Sequence, residues 1–417
     1  MKKSLLHTPE GVRDIYDSEC KIKLDLQSSL NDLLLNYGYH NIQTPSFEFF
    51  DIFNHERGTI SSKDMYKFFD RDGNTLVLRP DITPSIARCV AKYYREETMP
   101  IRLCYIGNTF RNSTSYQGKL KEVTYLGAEL INDVSIDADA EMIALTIDCL
   151  LKSGLKEFQL GIGHADFFPA LVEEAGLEKD DAGKLRNLIE NKNIFGIEEM
   201  IKSKQLNPEV EKIFLEFPQL VGTLEMLEYI RSISNNPRTL KIIDRLEKLN
   251  EILNNYGLSK YISFDLGMVS ELNYYTGIIF KVYTYGTGEA IATGGRYDSL
   301  VSQFGKKAPA IGLGLVVDQL MLALSRQKLL EKPKSEGTLI LYTDKYRKKA
   351  IDLAEKFRKD GLKITLQLKE DKDSLDDYIS YCNRMSIGGI LYLENDENIK
   401  VIDVTSGDIK ETDYKLS

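Results

Sequence analysis

The sequence predicts an α+β protein: a mainly antiparallel sheet flanked by helices, with a helical insert and a small C-terminal α/β domain. Two long strand patterns, Ile101–Phe110 and Glu122–Ile131, flank a polar loop and are expected to pair antiparallel. A leucine-rich amphipathic stretch over residues 167–256 separates the strand patterns and predicts the insert. Beyond residue 337, strands and helices alternate, which is typical of an α/β domain with a partly parallel sheet.

The N-terminal part begins with an amphipathic helix followed by a strand. Residues 18–38 carry apolar side chains at helical spacing, and Gly38 provides the stop. Residues Ile42–Phe47 predict a strand, and Pro45 within it favours an edge or an interface because proline cannot donate a ladder hydrogen bond. The apolar positions of the helix are Ile22, Leu26, Leu30, Leu33 and Leu34.

A hairpin and a second helix follow. The turn residues Asp72–Asn74 separate Met65–Asp70 from Leu76–Arg79, which predicts a β-hairpin. Thr83 and Pro84 suit the first turn of a helix that extends to Tyr94. The later elements expected before residue 330 are a helix over 137–153, strands over 156–163, 261–268, 277–285, 289–293 and 312–315, and a helix ending near 328.

A charged linker over residues 331–337 divides the chain into two predicted domains. The first covers residues 1–330 and includes the helical insert, and the second covers residues 337–417. In the second domain we expect strands over 338–343, 363–368, 388–393 and 399–404, and helices over 345–360 and 373–385.

Composition argues against several classes of protein. The chain has 417 residues and a formal net charge of −9, which lowers the expectation of a nucleic-acid partner without excluding a local basic patch. The five cysteines and four histidines are dispersed, so we expect reduced thiols in a cytoplasmic protein, no metal site and no cofactor. No apolar run is long enough to span a membrane, and the first residues lack the apolar core of a secretory signal.

A series of short motif segments runs through the first 330 residues in a characteristic order. They are His7–Asp14, Tyr37–Pro45, Leu78–Thr83, Tyr105–Arg111, Leu126–Glu129, Met268–Gly277 and Gly294–Asp298. In this order they resemble the class II aminoacyl-tRNA synthetases, and in particular the histidyl-tRNA synthetases. The resemblance implies a class II synthetase-like antiparallel sheet with Tyr37–Pro45 at a dimer interface. A helix followed by a strand without an interface remains the alternative for that segment.

The resemblance also implies a pocket for histidine. Asp81 and Thr83, at the start of a helix, suit a ligand ammonium group, although both also suit a helix cap. Arg111 suits a carboxylate or phosphate, and Glu129 suits an imidazole N–H or, alternatively, a salt bridge at a strand end. The implied pocket residues are Asp81, Thr83, Arg111, Tyr125, Glu129, Tyr274 and Tyr275.

Four positions in or beside this pocket leave alternatives open. Tyr274 and Tyr275 match a pair that lines the imidazole pocket, but adjacent residues of a strand face opposite sides. Only one of them should therefore face the ligand unless the chain bends near Gly277. Tyr125 stands where the synthetases usually have glutamine, and Arg296 either braces the sheet or touches the ligand.

Four positions depart from the synthetase pattern in a way that implies lost catalysis. Ser270 and Gln319 each stand where the synthetases carry an arginine. Ser113 and Thr114 stand in place of a glutamate and an arginine that hold the nucleotide. Amino-acid activation builds negative charge on phosphorus, which cations stabilise, so we expect no aminoacylation and no catalytic residues. Ser270 also removes a contact to a ligand carboxylate, so weak binding here, or binding of histidine at a subunit interface, is a further alternative.

The whole chain resembles the regulatory subunits of ATP phosphoribosyltransferase, which are synthetase-like proteins of histidine biosynthesis. The resemblance implies a short-form catalytic subunit as partner in a hetero-octamer, self-association as a dimer, feedback inhibition with histidine as effector, no tRNA and no membrane. The C-terminal domain holds more acidic than basic residues, so we expect it to serve packing or partner contact instead of anticodon binding. A divergent histidyl-tRNA synthetase and an RNA-linked sensor are the alternatives.

Overall fold

The computed structural model describes residues 6–53, 60–112, 119–204, 206–268, 274–330, 335–395, 398–406 and 408–413. The chain divides into two compact units. The first consists of Met1–Asp14 and Lys23–Leu330, and the second of Ile15–Ile22 and Glu331–Ser417. Within the described residues, no helix is long and apolar enough to cross a membrane.

A large sheet dominates the first unit. Its strands are β1 (His40–Asn41), β5 (Ile101–Phe110), β6 (Glu122–Ile131), β7 (Phe158–His164), β8 (Val221–Gly222), β9 (Ile262–Asp265), β10 (Ile278–Thr284), β11 (Ala292–Arg296) and β12 (Ala310–Val316). They pair in the order β1-β5-β6-β12-β11-β10-β7-β9-β8. Only the β1–β5 and β7–β9 pairs among these are parallel. The expected antiparallel pairing of Ile101–Phe110 with Glu122–Ile131 is confirmed.

Helices cover this sheet and form the insert. They are α2 (Thr83–Tyr93), α3 (Ile136–Lys152), α4 (Phe167–Glu174), α5 (Lys179–Glu190), α6 (Ile194–Lys202), α7 (Pro208–Glu216), α8 (Leu224–Ile233), α9 (Pro237–Asn255) and α10 (Val317–Arg326). Before them comes α1 (Asp17–Asn36), which belongs to the first unit only from Lys23 onward. The insert predicted over 167–256 corresponds to α4 through α9, and it also contributes β8 to the sheet.

The strand predicted over Ile42–Phe47 is wrong. Two short strands occupy this region, β1 and β2 (Phe47–Phe49), and Pro45 lies between them. Proline lacks the N–H group that would continue a ladder, so the backbone leaves one sheet and enters another. The predicted hairpin is confirmed: β3 (Lys67–Phe69) and β4 (Thr75–Leu78) pair antiparallel and form a three-stranded sheet with β2.

A buried arginine fastens α3 to β11. Arg296 is 3% exposed, and its guanidinium pairs with the fully buried Asp139 at 2.6 Å. The same guanidinium donates hydrogen bonds to the backbone oxygens of Asp133 at 2.7 Å and Ser135 at 3.2 Å. Of the two roles open to Arg296 from sequence, the contacts show the brace.

The second unit contains a five-stranded sheet. Its elements are β13 (Thr338–Tyr342), α11 (Arg347–Lys359), β14 (Ile364–Leu368), α12 (Leu375–Arg384), β15 (Gly389–Leu393), β16 (Asn398–Asp403) and β17 (Ile409–Asp413). The order is β14-β13-β15-β16-β17, with β13 parallel to both of its neighbours and the last two pairs antiparallel. The edge strand β17 was not expected, because its sequence is short and rich in charge.

Candidate functional site

The seven residues expected to form the pocket all line one cavity. Its volume is about 540 Å³, counting the part that opens to solvent. Neighbouring strands β5, β6, β11 and β12 form its floor, and the start of α2 and the segment before β10 form its walls. The predicted residues among its lining are Asp81, Thr83, Arg111, Tyr125, Glu129, Tyr274 and Tyr275.

Of the four positions that depart from the synthetase pattern, one lies among the described residues. Gln319 lies on α10 and is not among the residues that line the cavity. Ser113, Thr114 and Ser270 lie outside the described residues.

Glu129 is a buried carboxylate held by hydroxyl groups. It lies on β6 and is 1% exposed. Thr83 donates a hydrogen bond to one carboxylate oxygen at 2.7 Å, and Tyr297 donates to the other at 2.5 Å. Burial raises the pKa of Glu129 to about 8 despite these two bonds. Within the described residues no lysine or arginine pairs with Glu129, so the proposed strand-end salt bridge is wrong.

Glycines make room for the large side chains of the pocket. In the sheet register, Glu129 lies opposite Gly312, and Gly312 lies opposite Gly295. A Cβ atom at Gly312 would lie 1.8 Å from Glu129 Oε2, and one at Gly295 would lie 2.8 Å from the ring of Tyr275. Both distances are shorter than the non-bonded contacts that Cβ atoms make in proteins, so the two glycines are a condition for this arrangement.

Asp81 holds the start of α2 and also lines the cavity. Its Oδ1 accepts hydrogen bonds from the backbone N–H groups of Ile82 at 2.6 Å and Thr83 at 3.2 Å, as a residue at a helix start does. Its Oδ2 accepts a hydrogen bond from the hydroxyl of Tyr274 at 3.0 Å, and the side chain lines the cavity. The helix contacts therefore leave Asp81 in a position to meet a ligand cation.

Tyr274 and Tyr275 both line the cavity, and the limit of one ring facing it, which applies only to a regular strand, does not hold here. The alternation argument assumed a strand, but β10 begins at Ile278 and the tyrosines precede it. Their rings lie 5.0 Å apart between centroids at 56°. Burial raises the pKa of both hydroxyls, which keeps them neutral hydrogen-bonding groups.

Arg111 supplies the positive charge of the cavity. It follows β5, and its backbone N–H is fixed by a 2.9 Å hydrogen bond to Lys121 O. No ion pair to its guanidinium is present within the described ranges, and the residue lines the cavity. The arrangement thus offers two carboxyl groups and one guanidinium, which suits a small molecule that carries cationic or N–H groups and one carboxylate.

Comparisons with known proteins agree in pointing to one family. A family model described as histidyl-tRNA synthetase matches residues 11–320. The ATP phosphoribosyltransferase regulatory subunit of Acetivibrio thermocellus is 40% identical over 405 residues, with 97% of this chain and 96% of the relative covered. That of Ruminiclostridium cellulolyticum is 39% identical, with 99% and 98% covered. The chain belongs to the family of ATP phosphoribosyltransferase regulatory subunits.

Solved structures agree with this family. An ATP phosphoribosyltransferase regulatory subunit/histidyl-tRNA synthetase from Bacillus halodurans has a TM-score of 0.84 at 33% identity, with 95% of this chain and 100% of that chain covered. A histidyl-tRNA synthetase from Nostoc has a TM-score of 0.81 at 20% identity, with 99% and 97% covered, which shows the shared fold. The class II synthetase-like fold and the resemblance to regulatory subunits are both confirmed.

Two tyrosines that line the cavity were not among the residues predicted from the sequence. Tyr297 lines the cavity and holds Glu129, and Tyr105 lies under it against Gly127. Both residues occur in the motif segments from which the family resemblance was drawn, Gly294–Asp298 and Tyr105–Arg111. Their position in those segments was the available signal, but their direction depends on the register of β11 and β5.

Replacing Gly312 by alanine should displace Glu129. The new methyl group would overlap the carboxylate, so Glu129 would have to leave its hydrogen bonds with Thr83 and Tyr297. We expect histidine affinity, measured by calorimetric titration, to fall by about tenfold or more. Gly183→Ala, where an added Cβ meets no atom within 4 Å, is the control. Histidine binding that Gly312→Ala leaves unchanged would contradict a contact between Glu129 and histidine.

Proposed function

We propose that this chain is the non-catalytic regulatory subunit of an ATP phosphoribosyltransferase in histidine biosynthesis, and that histidine binds in the cavity around Glu129. A short-form catalytic subunit would depend on it for activity and for feedback inhibition. The observation that carries this proposal is the buried carboxyl of Glu129, which two hydroxyls hold within a cavity that also contains Asp81 and Arg111.

The cavity matches the chemistry of histidine at three points. Glu129 can accept a hydrogen bond from the imidazole, and Asp81 can accept one from the α-ammonium group. Arg111 can donate to the α-carboxylate. The aromatic rings of Tyr274 and Tyr275 supply the apolar contact that a flat imidazole ring needs.

Coupling between this cavity and a partner would provide the regulation. A ligand shifts an equilibrium between two states of a complex only by its difference in affinity for them. We therefore propose that histidine binds more tightly to the inactive state of a hetero-oligomer, in which the family resemblance suggests four subunits of each kind. A histidine site at a subunit interface is the alternative, and the effect of a Glu129 variant on inhibition of the complex distinguishes the two.

The sequence supports the absence of aminoacylation. Gln319 and Ser270 stand where arginines of the synthetases act, and Ser113 and Thr114 replace the nucleotide-binding pair. One such donor is worth roughly a hundredfold or more in rate. We accordingly propose that this chain neither activates histidine nor charges tRNA.

Reconstitution with a short-form ATP phosphoribosyltransferase catalytic subunit tests the function. We expect the two chains to purify together, the complex to be active, the catalytic subunit alone to be nearly inactive, and histidine to inhibit the complex. The measurement is the rate of product formation with and without this chain and with and without histidine. Equal activity of the catalytic subunit alone, or an active complex that histidine does not inhibit, would contradict the proposal.

Exchange of radioactive pyrophosphate into ATP serves as the control for the enzyme alternative. That alternative draws its support from the family model described as histidyl-tRNA synthetase. We expect exchange at background level with histidine present, while an authentic histidyl-tRNA synthetase in the same assay gives a strong signal. Robust exchange by this chain would identify it as a divergent synthetase.

A further inference from the structure

A second cavity lies in the first unit, apart from the pocket around Glu129. Its volume is about 830 Å³, counting the part open to solvent, and it shares no lining residue with that pocket. The end of β7, the start of α3 and one face of α9 enclose it. Its polar lining comprises His164, Asp166, Arg238, Lys241, Asp244, Arg245 and Lys248.

Four basic residues of α9 line this cavity. Arg238, Lys241, Arg245 and Lys248 follow one another at intervals of three, four and three positions, and such spacing places side chains on one face of a helix. A solvated basic face is the ordinary explanation for such a stripe. Here, however, the stripe lines a concave surface of a chain with a formal net charge of −9.

The acidic residues at the cavity are already paired. Asp166 pairs with Arg238 at 2.5 Å. Asp244 pairs at 2.6 Å with Arg231, which does not line the cavity. Arg245 donates to the buried Asp139 at 2.9 Å. Lys241 and Lys248 are exposed, and within the described parts of the chain neither forms an ion pair. The cavity therefore has two ammonium groups that form no ion pair with a carboxylate of the described residues.

His164 adds a neutral hydrogen-bond donor. Its ring is 9% exposed and lines the cavity, and its Nδ1 accepts a hydrogen bond from the backbone N–H of Asp166 at 3.2 Å. An accepting Nδ1 places the ring proton on Nε2. Burial lowers the pKa of His164 to about 4, so the ring remains neutral at physiological pH. No other hydrogen bond to this ring is present in the described residues, which leaves Nε2–H available to the cavity.

We propose that this cavity binds a phosphate-bearing small molecule through the ammonium groups of Lys241 and Lys248 and the Nε2–H group of His164. A phosphate group carries between one and two negative charges and several acceptor oxygens near neutral pH, which matches two cations and one neutral donor. A single carboxylate would leave part of this charge uncompensated. The cavity is large enough for a ligand of nucleotide size. Its concave form and the acidic chain favour a small molecule over RNA, which needs an extended basic face.

Titration of the full chain with inorganic pyrophosphate and with inorganic phosphate tests this site. The buffer contains no other multivalent anion, and heat of binding is the readout. We expect pyrophosphate to bind and the double variant Lys241→Ala/Lys248→Ala to bind it about tenfold or more weakly, because charge-assisted hydrogen bonds are lost. The matched control is Lys152→Ala/Lys156→Ala, which removes the same charge from two exposed lysines outside the cavity. The control should bind as the unaltered chain does.

A third variant and a second ligand complete the test. His164→Phe keeps a ring of similar size but cannot donate, and we expect it to weaken pyrophosphate binding while both lysines remain. Histidine binding should be the same in the lysine variant and the unaltered chain, because the two cavities share no residue. The proposal is overturned if neither anion binds the unaltered chain, or if both double variants bind pyrophosphate equally. Binding of tRNA without binding of pyrophosphate would overturn it in favour of an RNA site.

Discussion

A Glu129→Gln variant is expected to bind histidine roughly thirtyfold or more weakly than the unaltered chain. Removing one partner of a buried, hydrogen-bonded charge pair costs about 2–5 kcal/mol of binding free energy. Burial keeps Glu129 largely protonated in the free chain, and it becomes a carboxylate when a cationic imidazole binds beside it. Glutamine preserves the size of the side chain but cannot ionise in this way, so the effect reports charge instead of packing. Calorimetric titration with histidine measures the affinity directly.

Two controls make this result specific. Glu157→Gln makes the same exchange of a carboxyl for an amide at an exposed position next to β7 and should bind histidine normally. In the reconstituted complex, the Glu129→Gln variant should require a correspondingly higher histidine concentration for half-maximal inhibition. If the variant loses binding by the isolated chain while inhibition of the complex is unchanged, the effector site lies elsewhere, for example at a subunit interface.

The same variant should change how stability depends on pH. Burial raises the pKa of Glu129 from 4.5 to about 8 in the folded chain. The folded state therefore retains a proton that the unfolded state has already lost. Its contribution to stability is complete below about pH 4.5 and is lost as the pH rises through about 8. Glutamine does not titrate, so unfolding by denaturant at several pH values should show a smaller loss of stability above pH 5 in the variant.

The cavity could be predicted from the sequence because its residues lie within motif segments of one family. Asp81, Arg111 and Glu129 are far apart along the chain, and their convergence depends on a sheet order that the motifs imply. What could not be predicted is the direction of side chains whose backbone leaves regular structure. Tyr274 and Tyr275 are the example, since a start of β10 three residues later removes the alternation on which the argument relied.

Hydrogen bonds between distant segments could not be predicted from the sequence either. The bonds from Thr83 and Tyr297 to Glu129 require the register of three strands and the start of α2 at once. The position of His164 beside a basic face of α9 has the same origin, because β7 and α9 are separated by most of the insert. Periodicity locates elements, but such contacts are decided by how the elements pair.

The second large effect is expected from Arg296→Ala, which removes the brace between β11 and α3. Asp139 is fully buried, and burial raises its pKa even with two arginines nearby. Loss of one partner leaves a buried carboxylate less well paired and two backbone oxygens, of Asp133 and Ser135, without their donor. Such a change typically costs about 3–5 kcal/mol. We expect a decrease of this size in the free energy of unfolding of the first unit.

An exposed arginine provides the matched control. Arg231 also pairs with two carboxylates, of Asp244 and Glu247, but its side chain is 37% exposed. Exposed ion pairs contribute about 1 kcal/mol or less, so Arg231→Ala should change stability little. The sequence contains no tryptophan, so unfolding by denaturant is best followed by circular dichroism together with tyrosine fluorescence.

Arg296 also links stability to the cavity around Glu129. Its backbone oxygen accepts a hydrogen bond at 2.7 Å from the N–H of Thr276, the residue after Tyr275. Its neighbour Tyr297 donates a hydrogen bond to Glu129. Arg296→Ala should therefore weaken histidine binding, though less than Glu129→Gln, because no group that contacts the ligand is removed. Saturating histidine should restore part of the lost stability, since it binds only the folded chain. Equal stability and equal histidine affinity in the two arginine variants would refute the brace and its link to the pocket.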